Sequence, residues 1–211
     1  MALEQRSDRQ RAVKDLKRGL ILDAARKVFE TEGLDGASLR AIAAAAGYTP
    51  AALYFHFDSK EAIYAEMLRA SLAQLAAAVA RATARSKAPS ERLRAAAMAF
   101  FRYYADNPRD LDLGFYLFRG GMKPQGLGRA NDEVLNAALL AALAPIAAAT
   151  EAMGARRDEA NVLLVEIFAH AAGLLLLAHT GRMRLFGTSA LQLMQRFVDG
   201  KIAALAAKPK R

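Results

Sequence analysis

The 211-residue chain has no cysteine and no tryptophan. Without cysteine there is no disulfide, no thiolate zinc site and no cysteine nucleophile. With 3 histidines in all, a histidine-built metal site is not expected, and neither is a cofactor. No uninterrupted apolar run reaches the roughly 18 residues of a spanning helix. The richest stretch, Val162 to Ala178, is broken by Glu166 and His170. The opening "MALEQRSDRQRAVKDLKRG" lacks an apolar core ahead of a cleavage site, so it does not read as a secretory signal. A soluble cytoplasmic protein with no membrane partner is the expectation. No segment alternates apolar and polar residues for long enough to predict a strand. A nucleophile–base set and a Gly-rich phosphate loop behind a strand are also missing, which argues against an enzyme.

What is present is helix-forming residues and positive charge. Alanine, leucine and arginine dominate. The formal net charge is +9 and the sequence pI about 10.0, a balance that favours polyanionic partners. Part of the excess lies at the ends, in Arg6, Arg9, Arg11, Lys14, Lys17 and Arg18 and in Lys208, Lys210 and Arg211. The first 15 or so residues read as a mobile basic arm that is either simply solvated or inserted into a minor groove.

Glycine and proline punctuate the helices. A first helix, Lys17 to Glu32, stops at Gly33 and Gly36, with Leu20, Ile21, Ala24, Ala25, Val28 and Phe29 on its apolar face. Ser38 can cap a second, which Gly47 ends. Thr49-Pro50 opens a third reaching His56. Six more follow: to about Arg85, Glu91 to Asp106, from Asn107-Pro108, Arg129 to Met153 with a bend or break at Pro145, Asp158 to His179, and Ala190 to Ala207. The chain therefore reads as all-α, about nine helices, divided into residues 1–58 and 59–211.

The stretch "LRAIAAAAGYTPAALYFHFDSKEA", Leu39 to Ala62, carries the most information. Gly47 can take the left-handed conformation that closes a helix. Two residues on, the Thr49 hydroxyl can cap the next helix, and Pro50 suits its first position. Helix, three-residue turn, helix is the geometry of a helix-turn-helix, and Ala43, Ala45 and Ala46 would let the two helices approach closely. Ala51 and Ala52 are small enough for a helix seated deep in the major groove, where an alanine methyl can meet a thymine methyl. Leu53 is expected in the core, with Phe55 and Phe57 packed beneath. Tyr54, His56 and Lys60 can supply donors to phosphate, although an aromatic on a short helix is often core and an isolated histidine or lysine is often only solvated. Arg40 is either a surface charge or a DNA contact.

"SLRAIAAAAGYTPAALYFHFDSKEAI" resembles the helix-turn-helix of the TetR family of transcriptional regulators. The matching positions are Ser38, Ala46–Gly47, Leu53–Tyr54, Phe57, Lys60 and Glu61, and "ILDAARKVFETEGLDGAS" is similar to the family's first helix. Tyr48 departs from the family's small apolar turn residue, and Pro50-Ala51-Ala52 leaves few long polar side chains for base reading. The resemblance implies an N-terminal three-helix DNA-binding domain ahead of a larger helical ligand-binding and dimerisation domain. It implies a DNA-contacting set of Ser38, Arg40, Thr49, Pro50, Ala51, Ala52, Tyr54, His56 and Lys60. In the family, the tyrosine matching Tyr54 bonds a phosphate.

Aromatics gather in "FFRYY" (100–104) and "GFYLF" (114–118), with Met98, Met122 and Met153 near in sequence. They are either core or the lining of a cavity. The resemblance implies an inducer pocket between the middle helices, with Met98, Phe101, Tyr104, Phe115 and Phe118 as candidates. Glu166 and His170, four apart on one helix face, are a core or dimer pair, a polar ligand contact or, least of all, part of a metal site. Leu163, Ile167, Leu174, Leu191, Met194, Phe197 and Val198 form wide apolar stripes on the last two helices, and such stripes want a partner. In the family these helices build a four-helix homodimer interface. The expected function is therefore a ligand-responsive regulator, most readily a repressor. It would leave a palindromic duplex operator when a small hydrophobic or aromatic effector binds. A protein-interaction module and a small-molecule-binding enzyme are the alternatives.

Overall fold

The computed structural model describes residues 2–114 and 126–207, apart from the side chains of residues 2–7 and 10. Phe115, Phe118 and Met122 lie outside the described residues, as do Lys208, Lys210 and Arg211. The described residues form nine α-helices, one 3-10 turn and no strand. The helices are α1 (Ala2–Gly36), α2 (Leu39–Ala45), α3 (Pro50–Tyr54), α4 (Lys60–Thr83), α5 (Pro89–Asp106), α6 (Pro108–Gly114), α7 (Arg129–Ala152), α8 (Arg157–His179) and α9 (Ala190–Ala206). The 3-10 turn, Arg182–Phe186, lies in the segment read from the sequence as a loop.

Two readings of the helices are corrected. The basic arm is not a loose tail: helix begins at Ala2, and the stop expected at Gly33 appears as a non-helical residue at φ 70° within α1. Its composition explains this, since Arg, Lys, Gln, Leu and Ala are good helix formers and no Gly or Pro precedes Gly19. Of the bend or break expected at Pro145, the break is absent: α7 is one helix through that residue.

The described residues separate into two compact units, residues up to Ala70 with 126–134, and 71–114 with 135 onward. The division falls inside α4, where the sequence reading placed it at 58/59. The first turns of α4 supply core to the first unit: Ile63, Tyr64 and Met67 are buried with Ile21, Ala25, Phe29, Ile42, Ala43, Leu53 and Phe57. Phe29 and Tyr64 meet edge to face at 5.1 Å, a preferred aromatic geometry.

In the second unit α5 packs on α8 and α9, and α8 packs on α9. Leu93, Phe101, Ile146, Ile167, Leu175 and Met194 are fully buried there. Phe100 sits 5.4 Å from Tyr104 and 5.7 Å from Phe168, ring to ring. By length and composition alone α7 and α8 could cross a bilayer. In the fold α8 is a packed helix, and its mid-helix Glu166 is ion-paired to Lys201 of α9 at 2.6 Å.

Burial inverts most of the expected partner surface. Leu163, Ile167, Leu174, Met194 and Val198 are buried within the chain's own second unit, whereas Leu191 is exposed and Phe197 half-buried. The helix is apolar on two sides, and periodicity could not tell which one faces inward. The outward stripe on α8 is Val162, Val165, Ala169, Gly173 and Leu176. Ile167→Ala is therefore expected to lower unfolding free energy by about 2–5 kcal/mol at any protein concentration. Val165→Ala should cost less than about 0.5 kcal/mol in the isolated chain. Urea denaturation at two protein concentrations checks both.

Candidate nucleic-acid interface

The α2–turn–α3 segment is closed by local bonds. The Ser38 hydroxyl accepts from the amide of Ala41 at 3.1 Å, and the Thr49 hydroxyl from that of Ala52 at 3.2 Å. Each satisfies one of the orphan amides of a helix start. Gly47 takes φ 72°, and the Tyr48 amide then donates back to the Ala43 carbonyl at 2.9 Å, the closing bond of a left-handed C-cap. Ala43 is fully buried between the helices, whereas Ala45 is exposed and Ala46 half-buried, so one alanine of the three makes the closest approach.

Ser38, Arg40, Thr49, Pro50 and Ala51 are exposed on this segment, and Ala52 is half-buried. Tyr54 is 56% exposed and Phe55 86% exposed. The expectation that Phe55 packs beneath is thus wrong. α3 ends at Tyr54 with its Leu53 in the core, and the turn that follows delivers Phe57 to the core and leaves Phe55 outside. No carboxylate lies between Ala37 and Phe57, so this face has no built-in repulsion toward phosphate.

The corner after α3 is held by Arg18, one of the basic residues near the start of the chain. Its guanidinium forks onto the Glu66 carboxylate, through Nε at 2.8 Å and through the second terminal nitrogen. The remaining nitrogen donates to the His56 carbonyl at 2.8 Å, and the plane lies 4.2 Å over the Phe57 ring. The hydrogen bond to Glu66 raises the Arg18 pKa above its already high value, against some desolvation. A bidentate fork, a carbonyl acceptor and an aromatic face together suit arginine and not lysine.

His56 and Lys60 are less open than expected. His56 is half-buried, and its Nδ1 is buried with no hydrogen-bond partner. Lys60 Nζ donates to the carbonyls of Asp35 and Ala37, each at 3.1 Å. It thereby fixes the α1–α2 connection and keeps one N–H for another acceptor. Ser59 caps α4 through the Ala62 amide at 3.0 Å.

The sequence-predicted ligand residues do not gather in one place. Met98, Phe101 and Tyr104 are buried on α5, and burial pushes the Tyr104 phenol up, out of reach of ionisation. Glu166 is exposed and paired to Lys201. His170 stacks on Phe197 of α9 at 4.0 Å, with its Nε2 buried and unpartnered. These two side chains are therefore directed at α9. An open groove of about 340 Å³ beside them is lined by Asp158, Val162, Glu166, Lys201 and Leu205 among others. Among the described residues no three His, Asp or Glu side chains group as metal ligands.

Residues 21–67 match the model of bacterial regulatory proteins of the tetR family. Over these residues the chain carries the tetR-family pattern. The matched residues run from Ile21, at the start of the buried face of α1, to Met67 of α4; they contain the capped α2–α3 pair and Glu66 but not Arg18. Among curated relatives, the chain is 37% identical over 93 residues to the HTH-type transcriptional activator FasR of Mycolicibacterium smegmatis, covering 44% of this chain and 42% of FasR. It is 44% identical over 59 residues to the HTH-type transcriptional repressor KstR2 of Rhodococcus jostii, covering 28% and 29%. The matched stretch thus spans less than half of either relative. In overall fold it is similar to the transcriptional regulator FadR of Bacillus subtilis, solved with stearoyl-CoA. That likeness has TM-score 0.64 at 17% identity, over 89% of this chain and 97% of that one.

Two outcomes follow from these side chains. Arg18→Ala leaves a carboxylate and a carbonyl without their charged donor and should cost about 1.5–3 kcal/mol of unfolding free energy. Arg18→Lys should recover only part of it, as read by urea denaturation. His170 has its pKa lowered, first by desolvation and also by the Lys201 charge, against a backbone bond at Leu193. The unfolded chain then binds the proton more readily, so stability falls as pH drops below about 6.5 toward the folded-state value. His170→Gln should flatten that part of a stability–pH profile.

Proposed function

We propose that the chain is a cytoplasmic, homodimeric transcription regulator that reads a palindromic duplex and is released by a small hydrophobic effector. The observation that carries the reading is the capped α2–α3 pair. It offers Pro50, Ala51, Tyr54 and Phe55 to solvent on a face without carboxylates. In this reading Pro50 and Ala51 enter the major groove. Tyr54, Ser38, Thr49 and the free N–H of Lys60 meet phosphates, Arg40 reaches the backbone or a base edge, and the Phe55 ring lies on sugar or a thymine methyl. His56 acts mainly through its backbone, as the acceptor for Arg18.

The outward stripe of α8 supports the dimer. Two reading heads related by a two-fold axis would then meet successive major grooves roughly 34–36 Å apart. Met98, Phe101 and Tyr104, with Phe115 and Phe118, are the proposed effector lining. Stearoyl-CoA, held by FadR of Bacillus subtilis, is the first compound to assay. An effector acts only through its differential affinity for the DNA-competent and released forms, typically about 1–3 kcal/mol per coupled site. Repression is the simpler outcome of such release, although the two curated relatives carry opposite signs in their names.

The test is fluorescence anisotropy with the full chain and a duplex recovered by selection from a random pool. Binding should weaken on the order of 10³–10⁵-fold between about 50 and 200 mM salt if 6–10 phosphates are contacted. Absence of binding at low salt would sink the reading. Val165→Arg should give a monomer by light scattering and reduce duplex affinity on the order of 10²-fold through lost bivalency.

A further inference from the structure

α1 runs on beyond the reading head. Residues 2–20 precede the stretch matched by the family model, and the described side chains of this overhang are exposed as far as Lys17. Helical register decides what the overhang presents. Within the first unit the inward stripe of α1 is Ile21, Ala25 and Val28, all buried. Counting back from Ile21 by four and by seven gives Lys17 and Lys14, which continue that stripe. Counting back seven from Ala25 gives Arg18. At the edge of the unit the inward stripe therefore changes from apolar to basic.

The bonds of Arg18 show what this stripe passes over: it reaches the His56 carbonyl just after α3, and Glu66. Lys14 sits four residues outward from Arg18, about 6 Å along the axis on the same side. Arg18 is fully engaged, but among the described residues neither Lys14 nor Lys17 is held in an ion pair. Asp15 lies one turn before Arg18, whose charge it favours, and about 100° around the helix from Lys14.

We propose that the α1 overhang is a second phosphate-binding element, in which Lys14 and Lys17, carried past the end of α3 by Arg18, neutralise backbone phosphates flanking the groove that α3 reads. The occupant is duplex DNA because two unpaired cations on a rigid helix beside the reading face meet a chain with one phosphate per about 3.4 Å of each strand. The contacts position the protein and carry no sequence information. This inference rests on the regulator reading above.

The experiment compares the full chain, Lys14→Ala/Lys17→Ala and Lys27→Ala by anisotropy across a salt series. The probes are the selected duplex and a random-sequence duplex. Lys27 is exposed on α1, outside the inward stripe, and controls for lost net charge. Alanine retains the helix, which circular dichroism verifies. The double variant should lower the slope of log affinity against log salt by about 0.9 per lost contact, close to 2 for both, equally on the two duplexes. Lys27→Ala should leave it unchanged. An unchanged slope in the double variant, with tight parental binding, overturns the overhang and leaves the regulator reading standing. An equal per-charge loss in Lys27→Ala also overturns it, reducing the effect to net charge. No duplex binding by the parent overturns both. Binding of the parent to phosphatidylserine vesicles in place of duplex, through Val13, Leu16 and the same lysines, would assign the overhang to a lipid surface and overturn the DNA assignment.

Discussion

The reading head depends on one guanidinium. Arg18 is the only described side chain that bonds at once to the turn after α3 and to α4, from its own place on α1. α3 is a five-residue helix, far too short to hold its direction unaided. Its orientation comes from Leu53 and Phe57 beneath, the Thr49 cap at its start and the Arg18 bond at its end. The charge of Arg18 is balanced by Glu66, and what remains outside is a small, nearly neutral surface flanked by cations.

That arrangement separates two tasks by burial. Ile21, Ile42, Leu53 and Ile63 supply the apolar area that stabilises the unit. The exposed Pro50, Ala51, Tyr54 and Phe55 supply almost none of it. Side chains facing out can change with little cost to the fold, whereas Arg18, Lys60 and Ala43 cannot. Lys60 illustrates the point: its bonds to the Asp35 and Ala37 carbonyls fix where α2 begins, and only its remaining donor is open to a ligand.

The features that were legible in the sequence are those set by neighbours in the chain. Ser38, Thr49 and Gly47 cap or close helices through bonds spanning three to five residues, so spacing alone announced them. The long helices followed from composition and from Pro and Gly stops. The features that were not legible depend on distant partners. Arg18 looked like one more charge in a basic run because its partners are 38 and 48 residues away. Phe55 looked like core because its neighbours in sequence are. α8 is apolar on two sides, so its register could not say that Ile167 faces inward and Val165 outward. Glu166 and His170 shared a helix face, as read, but that face meets Lys201 and Phe197 of α9 and not the aromatics of α5.

The central claim is that the capped pair α2–α3 reads a duplex as one half of a symmetric unit. Hydroxyl-radical footprinting of the full chain on a duplex recovered by selection tests it most directly. The account predicts two protected stretches of equal strength, related by a two-fold axis and centred roughly 10 base pairs apart or a multiple of that. A single protected stretch, or cleavage unchanged along both strands at saturating protein, would contradict it.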